Sequence, residues 1–328
     1  MAPGGKAVRC VEGELQHMNN RLATAGLVAF LAVDVALVAL ALRSGHGSSG
    51  ALPPAQTGQT TRTAPLTTSP PTSTTRATTS PVAAKAVPVT RLVSAVDAAT
   101  AWRATTGACD TGGATVEVTT DGGQTWTKLR SPARALVRLQ ALDETRAFVI
   151  GAGSDCLVKQ FASRDVGQTW QAPTAVVGGW ARRLDEPTQV LTPKEAAATP
   201  CGESVVVDLS RTSAEQAESL CADGSVVVTE DGGTTWSDSG DAPGAVALSN
   251  LLVDDNLTTY AARIVGACKG VQLVEVVKGR AADVVACVPV ANPERGTVGL
   301  SVTERAGWIV AGNETWLSQG DLTSWTKV

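Results

Sequence analysis

At 328 residues the chain has room for one large domain with appendages, and its formal net charge of −4 conceals a segregation along its length. Residues 43–87 carry four basic and no acidic side chains, whereas residues 88–328 carry 20 basic against 28 acidic ones. That carboxylate excess excludes nucleic acid as a partner of the large segment, because a phosphate backbone demands the opposite sign. Arginine outnumbers lysine 19 to 8, a usage typical of high-GC bacteria of the actinobacterial type.

Leu22 to Leu42 is a run of 21 residues whose only charge is Asp34, long enough to cross a bilayer as a helix and too long for a cleaved signal core. Lys6, Arg9 and Arg21 precede it and Arg43 alone follows closely, which places the N-terminus inside and the rest outside. Residues 1–21 are then a short cytoplasmic segment, too small for a folded domain. Met18, directly before Asn19-Asn20-Arg21 and the apolar run, is a candidate start of the chain. Asp34 is an ionisable group in mid-span with no visible relay partner.

Residues 43–87 form a linker. Thr57 to Ser80 contains 11 Thr, three Ser and three Pro, a composition that buries no core and favours extended backbone. At about 3 Å per residue such a stalk reaches on the order of 100 Å. Its hydroxyls are candidate O-glycosylation sites.

From Pro88 the reading is all β. Apolar or alternating runs separated by turn signals recur at Thr90–Val96, Ala114–Thr119, Leu136–Leu142, Ala147–Gly151, Ser204–Leu209, Ser225–Thr229, Val271–Val277 and Asp283–Val288. Among them one stretch returns. Thr119 to Trp126 reads T-T-D-G-G-Q-T-W, Ser163 to Trp170 reads S-R-D-V-G-Q-T-W, and Thr229 to Trp236 reads T-E-D-G-G-T-T-W. Aligned, they superpose Asp121, Asp165 and Asp231; Gly123, Gly167 and Gly233; Thr125, Thr169 and Thr235; and Trp126, Trp170 and Trp236. An Asp followed by glycine between apolar runs is hairpin chemistry, in which the carboxylate accepts from turn amides and glycine supplies positive φ. The expected role of these aspartates is turn capping at a blade edge, with a carbohydrate or calcium contact as the functional alternative.

This repeat resembles the Asp-box (BNR) repeat of sialidase-like β-propellers. The resemblance implies a propeller of four-stranded blades over 88–328. The aspartates lie 44 and 66 residues apart, and a degenerate copy ending at Trp325 lies 89 residues beyond Asp231. A repeat near 44 residues suits one blade. Five such repeats fill the 241 residues from 88 to 328 with an insertion around Trp180 to Cys201; the alternative makes Trp180 to Pro193 a short sixth blade.

Cys10 precedes the apolar run, and the remaining cysteines are an even six, Cys109, Cys156, Cys201, Cys221, Cys268 and Cys287, as suits an exported domain. Six cysteines allow fifteen pairings. Proximity suggests Cys201 with Cys221 and Cys268 with Cys287, leaving Cys109 with Cys156. With no CxxC and no nearby histidine, no metal or other cofactor is expected.

His17 and His46 both lie outside the β region, so it has no parts for a Ser-His-Asp or Cys-His apparatus. The sialidase resemblance would imply an arginine cluster, a tyrosine nucleophile and an acid/base carboxylate. Tyr260 is the one tyrosine, and Arg91, Arg103, Arg182, Arg183 and Arg263 stand in no F/Y-R-I-P motif, so no catalytic residue is assigned. Asp254-Asp255-Asn256 offers a carboxylate pair for an ordinary glycosidase. Trp102, Trp180 and Trp308, outside the repeats, are candidates for an exposed binding face, with core packing the expected role of each taken singly. The expected function is non-catalytic: binding or scaffolding of a protein, peptide or envelope glycan on the propeller face, at the membrane through one helix. The same repeat in photosystem-assembly proteins implies assembly factor as one form of that role. The alternative is a cell-envelope glycoside hydrolase.

Overall fold

The computed structural model describes residues 87–194 and 196–328, and the apolar run 22–42 and nearly all of the linker lie outside them. Among the described residues no helix is long and apolar enough to cross a membrane. Their 22 strands form six antiparallel sheets, the blades of a β-propeller.

The first blade is β1 (Arg91–Ala95), β2 (Ala101–Thr105), β3 (Thr115–Thr119) and β4 (Thr127–Leu129). The second has β5 (Ala135–Ala141), β6 (Ala147–Ala152) and β7 (Val158–Ser163), with Thr174 bridged to Gln160 where a fourth strand would lie. The third has only β8 (Ala181–Arg182), β9 (Val190–Leu191) and β10 (Ala197–Ala198). The fourth comprises β11 (Val206–Arg211), β12 (Ala217–Cys221), β13 (Ser225–Thr229) and β14 (Ser237–Asp241). The fifth comprises β15 (Ala245–Val253), β16 (Asn256–Arg263), β17 (Val271–Val276) and β18 (Asp283–Val288). The sixth comprises β19 (Val298–Val302), β20 (Ala306–Ala311), β21 (Glu314–Gln319) and β22 (Thr326–Lys327).

Burial follows strand position. In the third strand β3, Val116 and Val118 are buried while Thr115 and Glu117 are not, the period-two pattern of a half-covered strand. Second strands have neighbours on both faces, and β12 and β20 are buried throughout. In five blades the first strand lines the axis, with β1 against β5 and β19 and β15 against β11 and β19, while in the third blade β8 touches both β5 and β11.

Of the two blade counts the sequence left open, the arithmetically favoured five is corrected and the alternative of six, with a short blade at Trp180, holds. The segment around Trp180 to Cys201 is no insertion but a blade built from two-residue strands, too short to show any periodicity in sequence. It is also incomplete. The Trp180 indole N–H, just before β8, donates to the Ser213 carbonyl (3.0 Å), in the turn after β11. The Trp308 indole of the second strand β20 does the same to Asp97 (2.8 Å), in the turn after β1. The amide of Val206 at the start of β11 reaches the Pro187 carbonyl (2.9 Å) beyond the far end of β8. So β8 runs as a second strand runs, and blade three lacks an inner strand. The chain length agrees: β6 begins 21 residues after Trp126, whereas β8 begins 11 after Trp170.

The cysteines form three disulfides, Cys109–Cys156 between blades one and two, Cys201–Cys221 joining the approach to β11 with the end of β12, and Cys268–Cys287 within blade five. The last closes 19 residues around the β17–β18 hairpin, which carries no copy of the repeat. Replacing Cys268 and Cys287 together with Ser is expected to cost about 3 kcal/mol on the chain-entropy model. Chemical denaturation of the double variant checks this, and an unchanged midpoint would show that the bond does not hold the blade.

Candidate functional site

The three repeated hairpins connect or follow third strands, and their hydrogen bonding is the same in each. Thr125 donates its amide (2.9 Å) and hydroxyl (2.6 Å) to the Asp121 carboxylate, which also takes the Thr119 hydroxyl (2.8 Å), while Gly123 donates its amide to Thr119 Oγ1 (2.9 Å). Asp165 with Thr169 and Ser163, and Asp231 with Thr235 and Thr229, repeat the set. The Thr125 hydroxyl foremost lowers the Asp121 pKa to about 2, and the Thr235 amide foremost lowers that of Asp231 to about 2. Asp165 is lowered in the same way, chiefly by the Thr169 hydroxyl.

Each hairpin's tryptophan meets a tryptophan of the preceding blade edge to face. Trp126 meets Trp308 at 6.1 Å, Trp170 meets Trp102 at 6.5 Å, and Trp236 meets Trp180 at 5.9 Å between centroids. Of the two roles open to Trp102, Trp180 and Trp308, core packing holds and an exposed face does not: all three are at most 1% exposed, wedged between blades. Their rings also explain one glycine of the repeat. At Gly167 (φ +77°) a Cβ would lie 2.8 Å from Trp102 and 2.4 Å from Leu129, so neither φ nor space admits a side chain.

The inner strands enclose an axial cavity of about 180 Å³. That is below the volume typical of sites for drug-sized ligands and suits a single small group. Four serines tie neighbouring inner strands around it. Ala141 donates its amide to Ser94 Oγ (2.9 Å), Ala95 to Ser301 (3.0 Å), Val302 to Ser249 (2.9 Å) and Asn250 to Ser210 (2.9 Å). The series runs from blade two back through one, six and five to four, and it stops at the missing strand of blade three. There Gln140 stands in the serine position and accepts from Arg138 Nη2 (3.1 Å).

Arg182, 8% exposed, fills the floor of the gap by donating to the carbonyls of Val207 (3.2 Å) and Val89 (2.9 Å). Burial lowers its pKa, and the Asp208 charge opposes that shift. Asp208 accepts the amides of Leu209 and Leu248 (both 2.8 Å); burial raises its pKa against those bonds and Arg182. Above them stand Arg138 on β5 and Arg211 on β11. Burial foremost, and then the Arg211 charge, pulls the Arg138 pKa well down; burial lowers Arg211 as well. Neither was singled out in the sequence, where an arginine in a strand reads as a solvated face.

Of the other candidates only Arg91 lines the cavity, and the rest stay apart from it. Arg91 reaches Thr105 (2.7 Å), Arg103 pairs with Glu117 (2.6 Å), Arg183 with Asp185, and Arg263 donates to Gln272 (2.7 Å). Asp254 and Asp255 have φ of 47° and 61° and form the two-residue turn between β15 and β16, where Val253 pairs with Asn256. Tyr260 faces Glu275 across two strands of blade five, and burial, then the Glu275 charge, raises its pKa, the opposite of what a phenolate nucleophile needs. Among the described residues no group of acidic, His or Cys side chains is placed to hold a metal.

No protein-family model matches the chain, and no curated protein sequence does. Solved structures do. The structure described as YCF48 bound to D1 peptide is 18% identical, with 73% of this chain and 67% of that chain covered and a TM-score of 0.27. YCF48 from Cyanidioschyzon merolae is 14% identical over 72% and 68%, with a TM-score of 0.28. The fucose-specific lectin from Aleuria aurantia is 10% identical over 73% and 95%, with a TM-score of 0.47. The assignment of six blades rests on the sheet order given above.

Because the hairpin aspartates have folded pKa values below their unfolded ones, the stability they contribute is complete above pH about 4 and is lost as pH falls towards 2. Asp231→Asn is expected to melt below the wild type at neutral pH, and the two curves are expected to converge near pH 2. Thermal melts across that range check it. Gly167→Ala is expected to cost about 1–3 kcal/mol through overpacking and positive φ. Gly113→Ala, at φ +90° with open space, serves as the control for φ alone.

Proposed function

We propose that this chain is a non-catalytic extracytoplasmic propeller, tethered to the cytoplasmic membrane by residues 22–42 and displayed on the stalk 43–87, that binds or scaffolds a protein, peptide or envelope polymer. Assembly factor is one form of that role. The observation that carries the reading is the axial cavity: it gathers arginines and serines, and its lining carboxylate, Asp208, is already engaged by Arg182 and two backbone amides. That chemistry holds a ligand and lacks a free acid/base pair. Three disulfides support an oxidising compartment.

The hydrolase reading has the turn Asp254-Asp255 and the pair Tyr260–Glu275, and neither lines the cavity. A combined glycan-binding and glycoside-hydrolysis screen on the full chain separates the two. Retention of an envelope component without turnover is expected, and turnover of any glycoside would move the assignment to the hydrolase. Protease added to intact spheroplasts is expected to release a soluble fragment near residues 88–328, by cutting in the Thr/Ser/Pro stalk. A fully protected protein would overturn the orientation.

A further inference from the structure

The gap in blade three places two cations face to face. Arg138 and Arg211 sit on the inner strands of blades two and four, the two blades that would otherwise be separated by the inner strand that blade three lacks. Among the described residues no ion pair involves Arg138, Arg182 or Arg211, and the lining carboxylate Asp208 is bound elsewhere. Arg138 bonds the Trp180 carbonyl (3.1 Å) and Gln140, which leaves N–H groups of its fork unused. The Arg211 Nε is buried with no hydrogen-bond partner.

Arg138 and Arg211 are half-buried; guanidinium groups withdrawn from water to this degree are ordinarily paired, and a half-satisfied pair of like charges is costly unless something between them carries the opposite sign. A planar fork that presents several N–H groups matches an oxyanion better than any other small partner. The cavity has room for one such group.

We propose that the notch left by the missing inner strand of blade three is an oxyanion site, where Arg138 and Arg211 together take one carboxylate- or phosphate-type group presented by the ligand. The site deepens the binding reading and rests on it for the source of the group, but it can be tested with small anions alone.

The test is thermal unfolding of the full chain titrated with acetate or inorganic phosphate against chloride at matched ionic strength. Wild type, Arg138→Gln, Arg211→Gln and the surface control Arg146→Gln are compared. Wild type and control are expected to show a saturable rise in Tm, with a midpoint at least tenfold weaker in either cavity variant. Saturation by acetate assigns a carboxylate, and saturation by phosphate assigns a phosphoryl group. In chloride alone each cavity variant is expected to melt at or above the wild type, because one of two repelling cations has gone.

Absence of a saturable shift in the wild type would overturn the site whether or not the variants fold. So would a shift retained in both variants. Failure of the envelope-binding screen with the anion titration intact would sink the function and leave the site, and the reverse result would sink the site alone.

Discussion

Neighbouring blades of a propeller share no backbone ladder, so everything that holds one blade to the next must be done by side chains and by the few backbone groups left over. Here three devices meet that demand. Edge-to-face tryptophan pairs join blades six to one, one to two, and three to four. Serines carry inner-strand amides across four boundaries. Disulfides add covalent ties, Cys109–Cys156 crossing one boundary outright. An aromatic pair adds about 0.5–1.5 kcal/mol beyond its burial and a neutral hydrogen bond about 1, so no single tie dominates.

Blade three is where this arrangement fails and where the chemistry collects. Without an inner strand it offers no serine to the Arg211 amide and no amide to Gln140. Arg182 takes over part of the missing strand's role by bonding two carbonyls, and it brings a buried charge that Asp208 balances. Arg138 and Arg211 are left facing the opening, each with pKa lowered by burial. A local deficit of backbone thus becomes a local surplus of donors.

The hairpins were legible in the sequence because their geometry is set within eight residues: the carboxylate, hydroxyl and glycine that form each turn are neighbours in the chain. Cys201–Cys221 and Cys268–Cys287 were legible for a similar reason, since strands consecutive in the chain are neighbours in space, whereas Cys109–Cys156, between blades, followed only as the remaining pair. Blade three was legible only as the alternative of a short blade at Trp180, because two-residue strands leave no alternation to read. The Arg138–Arg211 pair was not legible, because blades two and four approach only across the strand that blade three lacks. One signal was available and passed over. Leu209-Ser210, Leu248-Ser249 and Leu300-Ser301 recur in the inner strands, with Leu139-Gln140 as the variant beside the gap. That Trp102, Trp180 and Trp308 pack inside was expected of each singly, but not that each is the other half of the next blade's motif.

The ring is closed without exchanging a strand: blade one comes wholly from the start of the domain and blade six wholly from its end. The join is made by Thr90, whose amide and hydroxyl both reach the Gly296 carbonyl (2.7 Å each), by Arg103 with Thr315 (2.7 Å), and by Trp308 with Asp97. Val89, just before Thr90, donates to the Val207 carbonyl (3.0 Å) in blade four. A pull on the chain at Val87 is therefore received at once by bonds to the neighbouring blade six and to blade four across the ring. The junction between blades six and one is the one that no chain connection crosses, so under tension the propeller would part there and open like a split washer while its disulfides stay intact.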